Sequence, residues 1–173
     1  MDPAYKYLIA FHGHSCPGLA VGYRMTKAAL AFLSASAAKD EELVAIVEND
    51  ACGVDALQYL SGCTFGKGNL IFKDYGKHVY TLYDRSSRNG VRVVFNARNA
   101  PEDIREDRAR FIDWLLAAPE EDVVSLSDVR IEEPERARVT ASVRCDFCGE
   151  SVMETRTTRV GDKLACIPCA EKY

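Results

Sequence analysis

No apolar run in the 173-residue chain approaches the ~20 residues that a bilayer-spanning helix requires, so a helical membrane span is not expected. The first residues, MDPAYKYLIAFHGHSC, lack the basic segment and long apolar stretch of a secretory signal, which predicts a cytoplasmic protein. Positive charge is also short: 22 Lys+Arg stand against 26 Asp+Glu, for a net charge of -4. Without a cluster of basic residues, a broad nucleic-acid-binding face is not expected. Cysteine is absent from Thr64 through Arg144. The seven cysteines fall instead into two groups: Cys16, Cys52 and Cys63 in the first third, and Cys145, Cys148, Cys166 and Cys169 near the C-terminus. An odd count in a chain without a secretory segment argues against a disulfide framework and for two separate thiol or metal sites. Apolar residues make up 47% and charged residues 28%, enough for a packed core. The length suits one domain, or one domain with a small module.

Periodicity predicts a helix from Pro17 to about residue 36, with Leu19, Tyr23, Leu30 and Leu33 at helical spacing. The β-branched stretch Glu42–Val47 reads as a buried strand, and Val54–Leu60 as a short helix between Gly53 and Gly62. Three strands are expected at Asn69–Lys73, Val79–Asp84 and Val91–Phe95, joined by turn residues as an antiparallel meander. Pro101–Ala117 reads as one helix with a stripe of Ile104, Phe111, Trp114 and Leu115, and Ser125–Ile131 as a further strand. At the acidic, proline-containing stretch Glu132–Glu135 the composition changes. Residues 1–135 carry 15 basic and 21 acidic side chains, whereas residues 136–173 carry seven and five. A core domain over 1–135 and a small domain over 136–173 are expected.

Cys145-Asp-Phe-Cys148 and Cys166-Ile-Pro-Cys169 are two C-x2-C knuckles seventeen residues apart, the spacing of a four-cysteine zinc ribbon. The intervening chain reads as a hairpin, Val152–Val160 and Lys163–Ala165, turned at Gly161-Asp162. A piece of ~40 residues builds little core by itself, so the metal is expected to supply much of its folding free energy. Four soft ligands leave no open position, which makes the expected zinc structural. Iron in a rubredoxin-like site has the same ligand chemistry, and two disulfides rank below zinc.

His12-Gly-His14-Ser-Cys16-Pro-Gly18 holds two of the chain's three histidines beside a cysteine. Pro17 suits the first position of a helix, which makes Cys16 the expected N-cap, where helix N–H groups favour a thiolate. His12, His14 and Cys16 form a donor set of intermediate softness, suited to zinc, nickel, iron or copper. Cys52 follows a predicted strand and Cys63 lies in a glycine-rich connection, and either can return to the same place. Cys16 and Cys52 or Cys63 can also act as redox thiols. Residues 62–69 (GCTFGKGN) fail the P-loop pattern, because one residue is missing before Lys67 and Gly68 replaces Ser/Thr. Lys67 and the backbone N–H groups around it remain a candidate for anion binding.

FHGHSCPGLAVGYR (11–24), NDACGVDALQYLSGCTFGKGNL (49–70) and KDYGK (73–77), in this order, resemble the family of the formylmethanofuran dehydrogenase E subunit. The resemblance covers nearly the whole chain, including the C-terminal four-cysteine ribbon found in many members. It implies an α+β core, an antiparallel sheet flanked by helices, followed by the ribbon. It also implies a dimer and a core metal site at His14, Cys16 and Cys63, with His12 and Cys52 near them. The family is named for a molybdenum or tungsten enzyme of anaerobic one-carbon metabolism, so a protein partner in such a complex is implied. The sequence has no pterin-binding signature and no iron–sulfur cysteine run, and catalytic activity is not carried over. Three functions are expected in order: a metal-binding accessory protein or subunit, with a core metal (zinc, nickel or iron) and a structural zinc; a free-standing metal- or thiol-dependent enzyme, with His12 moving a proton and Cys16 as nucleophile or ligand; and an interaction module acting through the ribbon.

Overall fold

The computed structural model describes residues 2–97 and 99–172 and divides into two compact units, Met1–Arg136 and Ala137–Tyr173. The first is a mixed α+β unit. It begins with α1 (Pro3–His12) and α2 (Pro17–Leu33), followed by β1 (Leu43–Val47), α3 (Gly53–Ser61), β2 (Leu70–Phe72), β3 (Val79–Asp84) and β4 (Asn89–Phe95). Three short helices, α4 (Glu102–Arg105), α5 (Arg108–Ala117) and α6 (Glu120–Val123), lead into β5 (Val124–Val129). The strands form one sheet in the order β2-β1-β3-β4-β5.

The sheet differs from the expected meander at its first edge. β2 does not pair with β3; it runs parallel to β1, with Ala45 opposite Leu70 and Val47 opposite Phe72. β3 takes the other edge of β1 in antiparallel register, from Leu43 opposite Asp84 to Val47 opposite Tyr80. The reason lies in the connections. α3 forms the crossover that a parallel pair requires. Residues 73–78 are too long for a tight hairpin and pass the end of β1, where Lys73 N–H donates to Val47 O and Lys77 N–H to Glu48 O. From β3 through β5 the sheet is antiparallel.

α2 lays Leu19, Ala20, Tyr23, Met25, Ala28 and Ala29 into the core against Leu82, Val91 and Val93 of the sheet, all buried. Its last residue is Leu33, short of the expected end, because Ser34 turns into the left-handed region at φ 51°. The helix expected over Pro101–Ala117 is broken in two. The Asp107 carboxylate accepts hydrogen bonds from Ala109 N–H (3.0 Å) and Arg110 N–H (3.1 Å) and starts α5 afresh. α1 has no counterpart in the expected elements. Asp2 caps it by accepting from Ala4 N–H at 2.9 Å, Pro3 opens it, and Gly13 closes it at φ 95°. Asp2 also accepts from the Tyr23 hydroxyl and, at 3.1 Å, from Lys27 Nζ, and these bonds hold its carboxyl down to about 2. α1 is thereby tied to α2. At the other end of the unit, buried Arg85 donates to Glu133 (2.8 Å) and to the carbonyl of Pro134 (2.7 Å), fastening the acidic stretch to the core.

The second unit pairs β6 (Ser142–Arg144) with β7 (Ser151–Met153), and β8 (Thr157–Val160) with β9 (Lys163–Cys166), which α7 (Ile167–Ala170) follows. The long strand expected over Val152–Val160 is interrupted by a 3-10 turn at Glu154–Arg156, so two small hairpins replace one. The expected turn at Gly161 is present, at φ 62°. Cys145, Ala165, Cys166 and Cys169 are the buried core of this unit.

Candidate metal centres

The turn between α1 and α2 gathers His12, His14 and Cys16, whose donor atoms lie within 4.8 Å of one another. Gly13 makes this turn possible, because its positive φ ends α1 and doubles the chain back toward α2. Cys16 is the N-cap of α2 and is buried, and its Sγ accepts from Leu19 N–H at 3.3 Å. His12 Nε2 lies 3.9 Å from that sulfur. A tetrahedral ion with ordinary metal–nitrogen and metal–sulfur lengths separates such ligands by about 3.6 Å, so the pair fits one ion with little movement. His12 Nδ1 faces Asp55 Oδ2 at 2.6 Å. A carboxylate on one ring nitrogen fixes the tautomer that presents the other nitrogen to a metal. His14 is exposed and packs against His12, with ring centroids 4.7 Å apart. Three donors leave a fourth position for water, a ligand or another protein group.

At Gly22 and Gly53 the backbones of α2 and α3 come into direct contact. A Cβ on Gly22 would meet Gly53 O at 2.2 Å. This close approach carries Cys52, at the start of α3, toward Cys16: a Cβ on Gly18 would stand 3.9 Å from the sulfur of each. Partial desolvation, and then the neighbouring Cys16 thiol, push the Cys52 thiol up. Cys63 follows the C-terminal end of α3, the opposite end from Cys52. It is fully buried just past Gly62, the C-cap of α3, its N–H donates to Ser61 Oγ at 3.1 Å, and burial pushes its thiol up. It is not among the donors that converge at His12, His14 and Cys16. Lys67 Nζ donates to the carbonyl of Ala38 at 3.2 Å. The N–H groups of Thr64, Phe65, Lys67 and Gly68 turn inward onto Asn69, Gln58, Thr64 and Phe65 O respectively.

Beside His12 opens a cleft of about 440 Å³ at the C-terminal ends of the parallel pair β1 and β2. Its lining includes Asp50, Cys52, Asp55, Gln58, Phe65 and Phe72. Asp55 carries no signal of its own in the sequence. Its place three residues after Cys52, in the first turn of a helix, is the one local feature that aims it back at the strand end.

The C-terminal unit brings Cys145, Cys148, Cys166 and Cys169 within 4.8 Å of one another, all as free thiols. Cys148 and Cys166 sulfurs are 3.9 Å apart, close to the ~3.8 Å edge of a tetrahedron with zinc–sulfur bonds of ~2.3 Å. Backbone N–H groups of Cys148 and Cys166 hold the Cys145 thiol down to about 6, the latter at 3.3 Å. The Cys166 thiol, then burial, push Cys169 up to about 12. Crowded thiols of this kind ionise together only with a cation among them. The donor set therefore fits a soft, tetrahedral ion.

Residues 11–125 match the profile of the family FmdE, described as "Molybdenum formylmethanofuran dehydrogenase operon". The match takes in His12, His14, Cys16, Cys52 and Cys63 and ends before the second unit. A probable S-adenosyl-L-methionine-binding protein of Archaeoglobus fulgidus is 35% identical over 192 residues, covering 94% of this chain. The chain spans about half, 51%, of that relative's length. A crystal structure of a tungsten formylmethanofuran dehydrogenase FmdE-like protein from Syntrophus aciditrophicus superposes with a TM-score of 0.75 at 27% identity, covering 96% of this chain and 90% of that one.

Proposed function

Because the chain belongs to the FmdE family, we propose that it is a metal-binding accessory protein or subunit in molybdenum- or tungsten-dependent one-carbon metabolism. The observation that carries this reading is the convergence of His12, His14 and Cys16, with Asp55 bracing His12. In this reading the core ion, zinc, nickel or iron, binds to those three residues and keeps one position open, and Cys52 is the nearest additional thiol. The four C-terminal cysteines hold a structural zinc. The protein forms a homodimer and meets a partner protein of a dehydrogenase complex. The binding activity in the name of the Archaeoglobus relative is not transferred, since half of that protein has no counterpart here.

Metal content per chain, measured by elemental mass spectrometry on anaerobically purified protein and on His14→Ala, tests this reading. About two metals falling to about one in the variant support it, and an unchanged content in the variant sinks the core site. His14 is exposed, so its loss does not disturb the core.

A second reading, a free-standing metal enzyme, draws on the three-donor set and the cleft at His12. Three protein ligands with an open position are the form of catalytic zinc sites. In a cobalt-substituted sample, added azide shifts the visible bands if the position is open and leaves them unchanged if the protein closes it.

A further inference from the structure

The glycine-rich loop after α3 is a poor anion cradle, because four of its N–H groups are already bonded within the protein. What the loop offers outward is Phe65, 77% exposed at the mouth of the cleft beside His12. Phe72, 46% exposed at the end of β2, stands on the same cleft. Exposed phenyl rings on a concave surface are favourable contacts for a flat apolar ligand. The volume, about 440 Å³, is that of a small-molecule site.

Charge narrows the class. Among the described residues, the cleft is lined by the carboxylates of Asp50 and Asp55, and by no lysine or arginine. Asp55 is bonded to His12, whereas Asp50 is exposed and has no hydrogen bond or ion pair among the described residues. With His12 neutral, both carboxylates count in full. With His12 protonated, or with a divalent ion held by His12 and a Cys16 thiolate, Asp50 still leaves an excess of negative charge. The lining charge therefore disfavours free phosphates and carboxylates away from the metal position, and a cation is attracted both by Asp50 and by the faces of Phe65 and Phe72.

We propose that this cleft binds a small organic cation with a flat apolar body, its charge against Asp50 and its body between Phe65 and Phe72. The site adjoins the core metal centre and does not depend on it.

Calorimetric titration of the full chain with benzamidine and with benzoate, two probes of like shape and opposite charge, tests the proposal. Benzamidine is expected to bind about tenfold more tightly than benzoate, the discrimination of one partly screened carboxylate contact. Phe65→Ala is expected to weaken benzamidine about threefold, the loss of one cation–π contact. Asp50→Asn is expected to narrow the difference between the probes, Asp55 carrying what remains, and an unchanged difference overturns the proposal. Both residues are exposed, so the variants keep the fold, which circular dichroism checks. Metal content measured on the same samples is expected to stay the same, so failure of the metal reading and failure of this one are separable. Equal binding of benzoate, no heat from either probe at millimolar concentration, or full affinity in Phe65→Ala overturns the proposal. So does a dimer in solution that dissociates in Phe65→Ala, because a second copy then covers the cleft.

Discussion

The two cysteine-bearing sites rest on opposite foundations. In the first unit, Cys16 is one buried member of a core made mainly by Tyr5, Leu8, Leu19, Leu57, Leu82 and Val93, while His12 is half-buried and His14 exposed. In the second, three of the four buried apolar side chains are themselves candidate ligands. Removing a metal from the first site leaves a hydrophobic core intact. Removing one from the second leaves little but two short hairpins, in a size range where chains below ~40 residues seldom fold unaided. On the proposed reading, the same thiol chemistry thus serves a preformed site in one unit and the folding of the other. A preformed site can release and exchange its ion, whereas a folding site cannot do so without unfolding.

The largest expected effect that sharpens this contrast is in the second unit. Structural zinc contributes about 10–16 kcal/mol in zinc-finger peptides, so Cys148→Ser is expected to lose the ion and open the unit to protease, with residues 1–136 intact. Unchanged zinc content and unchanged resistance in limited proteolysis would remove the structural role. Next in size is Gly22→Ala, whose new Cβ would overlap Gly53 O. It is expected to cost about 1–3 kcal/mol in chemical denaturation of the first unit, and to weaken the core metal by parting α2 from α3. If the denaturation midpoint does not move, the tight crossing is not needed. Asp55→Asn addresses the site without the fold. Loss of the brace on His12 is expected to reduce core metal affinity by about 10–100-fold, read by competition with a chelator, with thermal stability unchanged.

The smallest effect concerns the tie between α1 and α2. The Asp2 carboxyl is depressed from its usual 3.8 to about 2 by Tyr23, Ala4 and Lys27. A depressed carboxyl stabilises the fold above its unfolded value and stops doing so as pH falls through the folded one. Asp2→Asn is therefore expected to lower stability slightly at neutral pH, with the difference from the natural chain vanishing between pH 3.8 and about 2. A difference that persists at the acid end would mean that charge is not its source.

Which features are legible in the sequence follows from how local they are. The C-x2-C pairs announce their geometry, because each knuckle is four residues long and its sulfurs have nowhere else to converge. Cys16 as the cap of α2 is readable from Pro17 for the same reason. α1 is equally local yet is absent from the expected elements, although Asp2, Pro3 and Gly13 mark both of its ends. The parallel pairing of β2 with β1 is less accessible. It depends on α3 acting as a crossover, and the turn residues after Phe72 suggest a hairpin instead. From that pairing comes the rest: it brings Phe65 and Phe72 beside Asn49–Asp55 and makes the cleft. Asp55 as the partner of His12 spans 43 positions and depends on how α1 meets α3, which no spacing rule supplies.

Hydrogen exchange of the full chain, before and after complete metal removal by a chelator under reducing conditions, tests the contrast between the two sites most directly. The expected result is loss of amide protection throughout residues 137–172, with the strands β1, β3 and β4 of the first unit as protected as before. Protection retained in residues 137–172, or lost in β1, β3 and β4, would contradict it.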